Sequence, residues 1–262
     1  MTRLFNSGES LRPTKDEYLD SISVDCVVLS FNEGVLQVLL NKLKKSSKWM
    51  LPGGFVRMDE NVDAAAQRVI QVRTGLSDVF IKQFHLFGEC NRFDQEDNKN
   101  IIDSLGMTDE MAKWYLRRFV TMGYYALVEY SQIDLFVHSD EEEIDWFPLN
   151  KLPYLYGDHR DIIDIANNSI RMQLGYLPIG YQMLPEKFTM PELRMLYEAF
   201  LGKELDRRNF QRKILSVGYV KKLKEKRKVG PHKSPFLYVF DKTKYQDIEK
   251  NGMYLIPDTA IL

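Results

Sequence analysis

Residues 23–31 (SVDCVVLSF) are apolar and β-branched, Asn32-Glu33-Gly34 supplies a turn signal, and residues 35–42 (VLQVLLNK) resume the strand pattern, so a hairpin is predicted. Residues 49–56 (WMLPGGFV) predict a short strand interrupted by two glycines. From Asn61 the period changes: Val62, Ala65, Ala66, Val69, Ile70 and Val72 fall mostly at helical spacing before Gly75, which suits a C-cap, and a helix is predicted over 61–74. The order is strand, glycine loop, helix. Further strands are predicted over 80–89, 119–130 and 144–147, with Pro148 and Pro153 ending the series. Residues 94–118 read as an insertion between two strands, polar at first and helical from Thr108. A capped amphipathic helix is predicted over 158–174, with Ile162, Ile165, Ala166 and Ile170 on one face, and 175–185 is a proline-bearing connector.

The character changes near Lys187, and a domain boundary is placed between 184 and 185. Thr189 caps a helix with Pro191 in its first turn and Leu193, Leu196, Tyr197 and Phe200 as its apolar face, ended by Gly202. Asp206 caps the next helix, in which Phe210, Ile214 and Val217 share a face and Arg207, Arg208, Gln211 and Arg212 are left over, with Lys213 beside them. Two predicted strands, 219–224 and 236–241, flank the basic tip KEKRKVGPHKS. Helix, short turn, helix and basic hairpin is the order of a winged helix-turn-helix.

Composition narrows the class. A length of 262 residues allows one large domain or two modest ones at about 150 residues each. With 44% hydrophobic and 28% charged residues the chain is neither disordered, collagenous nor membrane-embedded in composition, and no run approaches the roughly 18 apolar residues of a spanning helix. A cytoplasmic protein is expected, with no membrane partner. Cys26 and Cys90 lie far apart, without a CxxC or a histidine pair, and are expected to be small buried hydrophobes rather than a disulfide or zinc ligands. His85, His138, His159 and His232 have no metal spacing; His85 is expected to be packed in its strand and His159 to assist a helix cap. Trp49, Phe55, Trp114, Tyr124 and Tyr125 are expected mostly in the core. The net charge of −1 conceals an asymmetry: residues 1–185 carry 19 Lys/Arg against 27 Asp/Glu, a balance of −8, and the remainder carries 17 against 10, a balance of +7. An anionic partner at the basic end is implied.

The segment LPGGFVRMDENVDAAAQRVIQVRTGL resembles the Nudix box, G-x5-E-x7-R-E-U-x-E-E-x-G-U with U a bulky aliphatic residue, the signature of hydrolases of nucleoside diphosphates linked to another group. Gly54, Glu60, Arg68, Ile70, Gly75 and Leu76 match in register. In that family three glutamates at i, i+3 and i+4 bind the magnesium that bridges the substrate's phosphates. Here Val69, Val72 and Arg73 occupy those positions. Two have no ligand atom and the third repels a cation, so no catalytic residue, metal or cofactor is expected. Glu60 and Arg68 are expected to form an ion pair between loop and helix. Asp59, Glu60 and Asp63 are read as acids favoured by the helix macrodipole, although a hydrolase with an accessory winged helix would have to use them for a metal.

The run FTMPELRMLYEAFLGKELDRRNFQRKILSVGYV resembles the C-terminal domain of the Nudix-related transcriptional regulators, which include repressors of NAD metabolism and regulators of arabinose use. The resemblance implies an α+β chain: a Nudix-like α/β/α sandwich with a mixed sheet, for effector sensing and dimerisation (1–184), then a winged helix-turn-helix that binds DNA (185–262). It also implies a homodimer on a double-stranded operator. Arg207, Arg208 and Asn209 in the first turn are placed to read bases; Gln211 is expected to bind DNA from the same exposed face; Arg212 and Lys213 suit phosphates or flanking bases; Lys226, Arg227, Lys228 and Lys233 form the wing. Effector contacts are expected at Gly54, Phe55, Arg57, Glu60, Arg73, Glu89, Asn91 and Arg92. The expected effector is a sugar such as arabinose or a close derivative, ahead of ADP-ribose, because the ligands of a diphosphate-bound metal are missing. An RNA- or protein-binding adaptor is the remaining reading.

Overall fold

The computed structural model describes residues 15–44, 46–77, 79–132, 142–175, 178–227 and 234–251. The chain divides into two compact units: Gln37–Ala166 with the chain up to Leu29, and Ser30–Leu36 with the chain from Asn167.

The first unit is built on a six-stranded sheet. β1 (Tyr18–Asn32) and β2 (Val35–Leu43) form the expected hairpin, and Glu33 and Gly34 both have positive φ (48° and 85°), as a type I′ turn requires. The order is β4-β5-β1-β2-β6, with β3 (Gly53–Arg57) added on β1, where β4 is Ile81–Phe87, β5 is Val120–Val128 and β6 is Glu142–Pro148. The pairs β1–β3, β2–β6 and β4–β5 are antiparallel. Most of β1, β2 and β5 is buried without alternation, the mark of a sheet covered on both faces.

Helix α1 (Val62–Thr74) begins where Asn61 accepts a hydrogen bond from the Ala64 amide and ends at Gly75 in the left-handed region (φ 72°). Its Ala65, Ala66, Val69 and Ile70 join Val24, Cys26 and Val28 of β1 in a buried cluster. Each buried valine or isoleucine contributes about 1.5–3 kcal/mol. Helix α4 (His159–Gln173) buries Ile162, Ile163, Ala166 and Ile170, while Ile165 is only half-buried.

Three expectations are corrected here. The polar first half of the insertion is also helical: α2 (Gln95–Leu105), capped by Asp94, precedes α3 (Asp109–Tyr115). Its composition, QEDNKNIIDSL, hides the helix because Ile101 alone is fully buried. His85 is exposed rather than packed, because edge strand β4 breaks register between Gln83 and His85 and buries only Phe87 completely. Cys90 lies beyond the end of that strand and is exposed, whereas Cys26 is buried. His138 and His232 lie outside the described residues.

The second unit contains α5 (Gly180–Met183), β7 (Phe188–Thr189), α6 (Met190–Leu201), α7 (Arg207–Val217), β8 (Val220–Lys226), β9 (Phe236–Phe240) and α8 (Lys242–Asn251). The strands form an antiparallel sheet in the order β7-β9-β8. Thr189 and Glu192 cap α6 reciprocally: the Thr189 amide donates to Glu192 Oε2 (2.7 Å) and the Glu192 amide to Thr189 Oγ1 (3.4 Å). Leu193, Leu196, Tyr197 and Phe200 meet Phe210 and Ile214 in the core, and Val217 is half-buried rather than a full member of that face. Helix α8 is absent from the sequence expectation because it is mostly polar; Tyr245 anchors it, stacked 4.1 Å from Tyr181. No helix among the described residues is long and apolar enough to cross a membrane.

Candidate functional site

The glycine loop is shaped by close approach. Pairing of β3 with β1 sets Gly53 opposite Asp25 and Gly54 opposite Val24. A Cβ on Gly53 would lie 2.5 Å from Asp25 Oδ1, and one on Gly54 would lie 2.8 Å from Val69 Cγ2, so only glycine fits without displacement. The expected ion pair is present: Arg68 Nη2 stands 2.6 Å from Glu60 Oε1 and also donates to the Phe55 carbonyl (2.8 Å). The Arg57 amide donates to the same carboxylate (3.0 Å). Burial pushes the Glu60 carboxyl up, but the Arg68 and Arg57 hydrogen bonds outweigh it and hold the group below its ordinary range. Glu60 is therefore committed to holding loop against helix.

At the positions of the family's metal-binding glutamates, Val69 is buried in the core, Val72 is half-buried and Arg73 is buried. None offers an oxygen, so the set does not fit a divalent cation. Among the described residues no three His, Cys, Asp or Glu side chains come together as a metal site. Asp63 instead accepts a hydrogen bond from the Tyr124 hydroxyl.

A cavity of about 190 Å³ opens beside the loop, lined by Gly54, Phe55 and all three replaced positions. The insertion contributes Asn98, Ile101, Leu105 and Tyr115 to the lining, which gives that segment a role the sequence left open. Phe55 packs edge-on against Trp114 (4.6 Å) and lies 5.2 Å from Phe119, so it belongs to an aromatic cluster as well as to the wall.

The polar part of the lining comes from Ser23, Asp25, Asn41, Asn98, Tyr156 and His159 together with three arginines, Arg68, Arg73 and Arg117. Arg92 braces it from behind, donating through Nε and Nη2 to Asp158 (2.6 and 2.9 Å) and through Nη2 to Asp25 (3.3 Å). His159 Nδ1 accepts from the Leu51 amide (2.8 Å), and burial pushes its pKa down despite the raising influence of Asp25 and Asp158. The ring is therefore neutral with its proton on Nε2. The Tyr156 hydroxyl donates to Asn98 Oδ1, and burial pushes the Tyr115 hydroxyl up to about 12.

The structure thus places Gly54, Phe55 and Arg73 on the cavity. It does not bring the other expected effector residues there: Glu60 and Arg57 are engaged in the loop, Arg92 is buried in its carboxylate pairs, and Glu89 and Asn91 are exposed outside the lining. His159 serves the loop rather than a cap. Asp25, Asn41, Tyr156 and His159 were missed, although a polar residue inside the apolar runs SVDCVVLSF and VLQVLLNK was a visible signal for the first two.

In the second unit Asp206 Oδ1 accepts from the Asn209 amide (2.8 Å), which starts α7 with Arg207 and Arg208 exposed on its first turn. A groove of about 700 Å³ brings Arg207 and Gln211, one turn apart, beside Lys222 and Lys226 of β8. Lys222 Nζ lies 3.6 Å and Lys226 Nζ 4.7 Å from the centre of the Phe236 ring, which holds both on one face of the wing. Lys222 was missed; the alternation along VKKLKEK carries it to the face of Lys226.

Other basic residues depart from expectation. Asn209 Oδ1 accepts from Arg212 Nη2 (2.8 Å), so the two are joined to each other. The Lys213 ammonium is buried with no hydrogen-bond partner instead of standing ready for a phosphate. Arg227 ties the wing's base to the α6 cap through Glu192 and the Lys187 carbonyl (2.9 Å). Lys228 and Lys233 lie outside the described residues.

Residues 180–240 match the NrtR DNA-binding winged helix domain and residues 20–164 match the NUDIX domain. The chain is similar to the ADPR responsive transcriptional repressor NtrR of Acinetobacter baylyi, 28% identical over 218 residues that make up 80% of this chain and 78% of the relative. It is also similar in structure to Shewanella oneidensis NrtR, at 25% identity and a TM-score of 0.67 over 86% of this chain and 96% of the other. The same Shewanella protein complexed with a 27mer DNA shares the fold, with a TM-score of 0.67 at 24% identity, covering 87% and 96% of the two chains. Since the NUDIX match takes in more than half of this chain, the protein belongs to the NUDIX family, in a form that carries an NrtR-type DNA-binding winged helix after its Nudix domain.

Proposed function

We propose that this protein is a ligand-responsive, DNA-binding transcriptional regulator whose Nudix domain senses an effector and does not hydrolyse it. The observation that carries this reading is the pairing, in one chain, of a cavity whose metal-ligand positions are Val69, Val72 and Arg73 with a winged helix whose groove joins Arg207, Gln211, Lys222 and Lys226. Arginine reads guanine and glutamine reads adenine in the major groove, while lysines on a wing neutralise phosphates. The division of labour assigns sensing and dimerisation to 1–184 and DNA binding to 185–262. A homodimer matches a palindromic operator, and the site of action is the cytoplasm, beside the DNA.

Two observations bear on the effector. The Acinetobacter relative responds to ADP-ribose, which supports that ligand here. The cavity lining also holds Arg68, Arg73 and Arg117, cations that suit a diphosphate, so ADP-ribose stands ahead of the free sugar, such as arabinose, that the sequence favoured. Both carry a pentose ring. The effector acts by binding the DNA-competent and incompetent forms unequally.

Titration with DNA from the protein's own upstream region, against random DNA at several salt concentrations, tests the reading. A preference for the upstream DNA that shifts on adding ADP-ribose or arabinose is expected. Equal affinity for both DNAs overturns it. The hydrolase reading needs sustained, magnesium-dependent turnover of ADP-ribose that disappears in Glu60→Gln; no turnover is expected.

A further inference from the structure

The Nudix cavity carries Arg68, Arg73 and Arg117 on its lining, but Asp25, Asn41 and His159 on the same lining form a group that does not resemble a phosphate site. Asn41 lies on β2, where its backbone N–H and C=O are both bonded to Met50 (2.9 and 2.7 Å), so the strand holds the side chain in the cavity wall. The residue is only 4% exposed, and its Oδ1 has no hydrogen-bond partner. A buried acceptor left unpaired is destabilising until a donor reaches it. Across the same cavity, His159 is also 4% exposed and offers a neutral Nε2–H, because its Nδ1 is taken by the Leu51 amide. That nitrogen stands 3.9 Å from Asp25 Oδ1, beyond hydrogen-bond reach, so donor and carboxylate face each other without bonding.

We propose that Asn41, Asp25 and His159 hold the hydroxyl groups of a sugar ring, and that this is where the effector is anchored. The proposal deepens the sensing function given above and rests on it. A hydroxyl both donates and accepts, so neighbouring hydroxyls satisfy an amide oxygen, a carboxylate oxygen and a neutral N–H together. A phosphate only accepts, and would meet two oxygens with no proton to give. Phe93 and Tyr156, stacked 4.9 Å apart on the lining, supply apolar surface for the ring's C–H face. If the sugar is free it is held whole at this end. If it belongs to ADP-ribose, a ribose is held here and the diphosphate lies away from Asp25.

Calorimetric titration of the full chain with arabinose, ribose, ADP-ribose and pyrophosphate, repeated on Asn41→Leu, tests this. At least one sugar-bearing ligand is expected to bind, at least tenfold more weakly to the variant. The ligand-free melting temperature of Asn41→Leu is expected to be unchanged or higher, since an apolar side chain replaces an unpaired acceptor, whereas a purely structural asparagine would leave affinity alone and lower the melt. Asn41→Ser reads the same contact if leucine is not accommodated. Affinity in both variants equal to that of the native chain overturns the proposal, as does competition by pyrophosphate against a free sugar or failure of all three sugar-bearing ligands to bind. Sugar binding that is lost in the variant but leaves operator affinity unmoved sinks the regulatory reading and keeps the site.

Discussion

Arg92 of the Nudix unit and Arg208 of the winged-helix unit carry the same charge in opposite settings. Arg92 is buried behind Asp25 and Asp158, and its guanidinium fixes the position of the carboxylate on the cavity wall. Arg208 stands exposed on the first turn of α7, where Asp206 has capped the helix without using it. A charge taken out of water is costly unless it is paired within the protein, whereas one left in water remains available to a partner. The overall balances of −8 and +7 follow the same division, and Lys213 and Arg227 show that a basic residue in the winged helix is not thereby a DNA contact.

The sharpest way to break this contrast is to remove both arginines in turn. Arg92→Ala leaves buried Asp25 and half-buried Asp158 without their cation and is expected to destabilise the Nudix unit by about 3–5 kcal/mol in urea unfolding. Arg208→Ala is expected to leave stability within about ±0.5 kcal/mol but to weaken operator binding by about 1–3 kcal/mol in a mobility-shift titration if it contacts a base. Comparable losses of stability in the two variants would erase the distinction. Within the winged helix, Thr189→Ala removes the α6 cap and is expected to cost about 1 kcal/mol, read as a lower melting temperature.

The smallest effect concerns pH. Burial lowers the His159 pKa below its ordinary 6.5 in the folded chain, with Asp25 and Asp158 opposing and Arg92 assisting. The neutral form is the one the fold prefers, so this residue's contribution is complete above about pH 6.5 and is lost as the pH falls towards the lowered folded value. Melting temperature is expected to drop between pH 7.5 and 5.5 more steeply in the native protein than in His159→Gln, whose side-chain oxygen can still accept from the Leu51 amide. Parallel slopes would mean that His159 is not buried in the neutral form.

Much of this architecture was legible in the chain. The hairpin, α1 with its Asn61 and Gly75 ends, and the Thr189 and Asp206 caps are local signals, set by side chains within a few residues of the backbone groups they satisfy. Helices α2 and α8 were not legible, because each is polar along most of its length and takes its place through one or two buried residues such as Ile101 and Tyr245. The site was read less well than the fold. Arg57 was expected on the site from its place on the loop, and Glu89, Asn91 and Arg92 from a strand end facing it in a Nudix fold, whereas Asp25, Asn41 and His159 come from β1, β2 and the start of α4.

The sequence by itself carried the resemblance to the Nudix box and placed Val69, Val72 and Arg73 where that pattern has glutamates, since both depend on residue identities at fixed spacing along one loop and one helix. It also determined that the basic charge is concentrated in the C-terminal part. Only the tertiary structure decided which charges are spent inside the protein and that Asn41, Asp25 and His159 share a wall. Those residues are separated by 16 to 134 positions in the chain, and no local period encodes contact over such distances; packing of the strands against the start of α4 does.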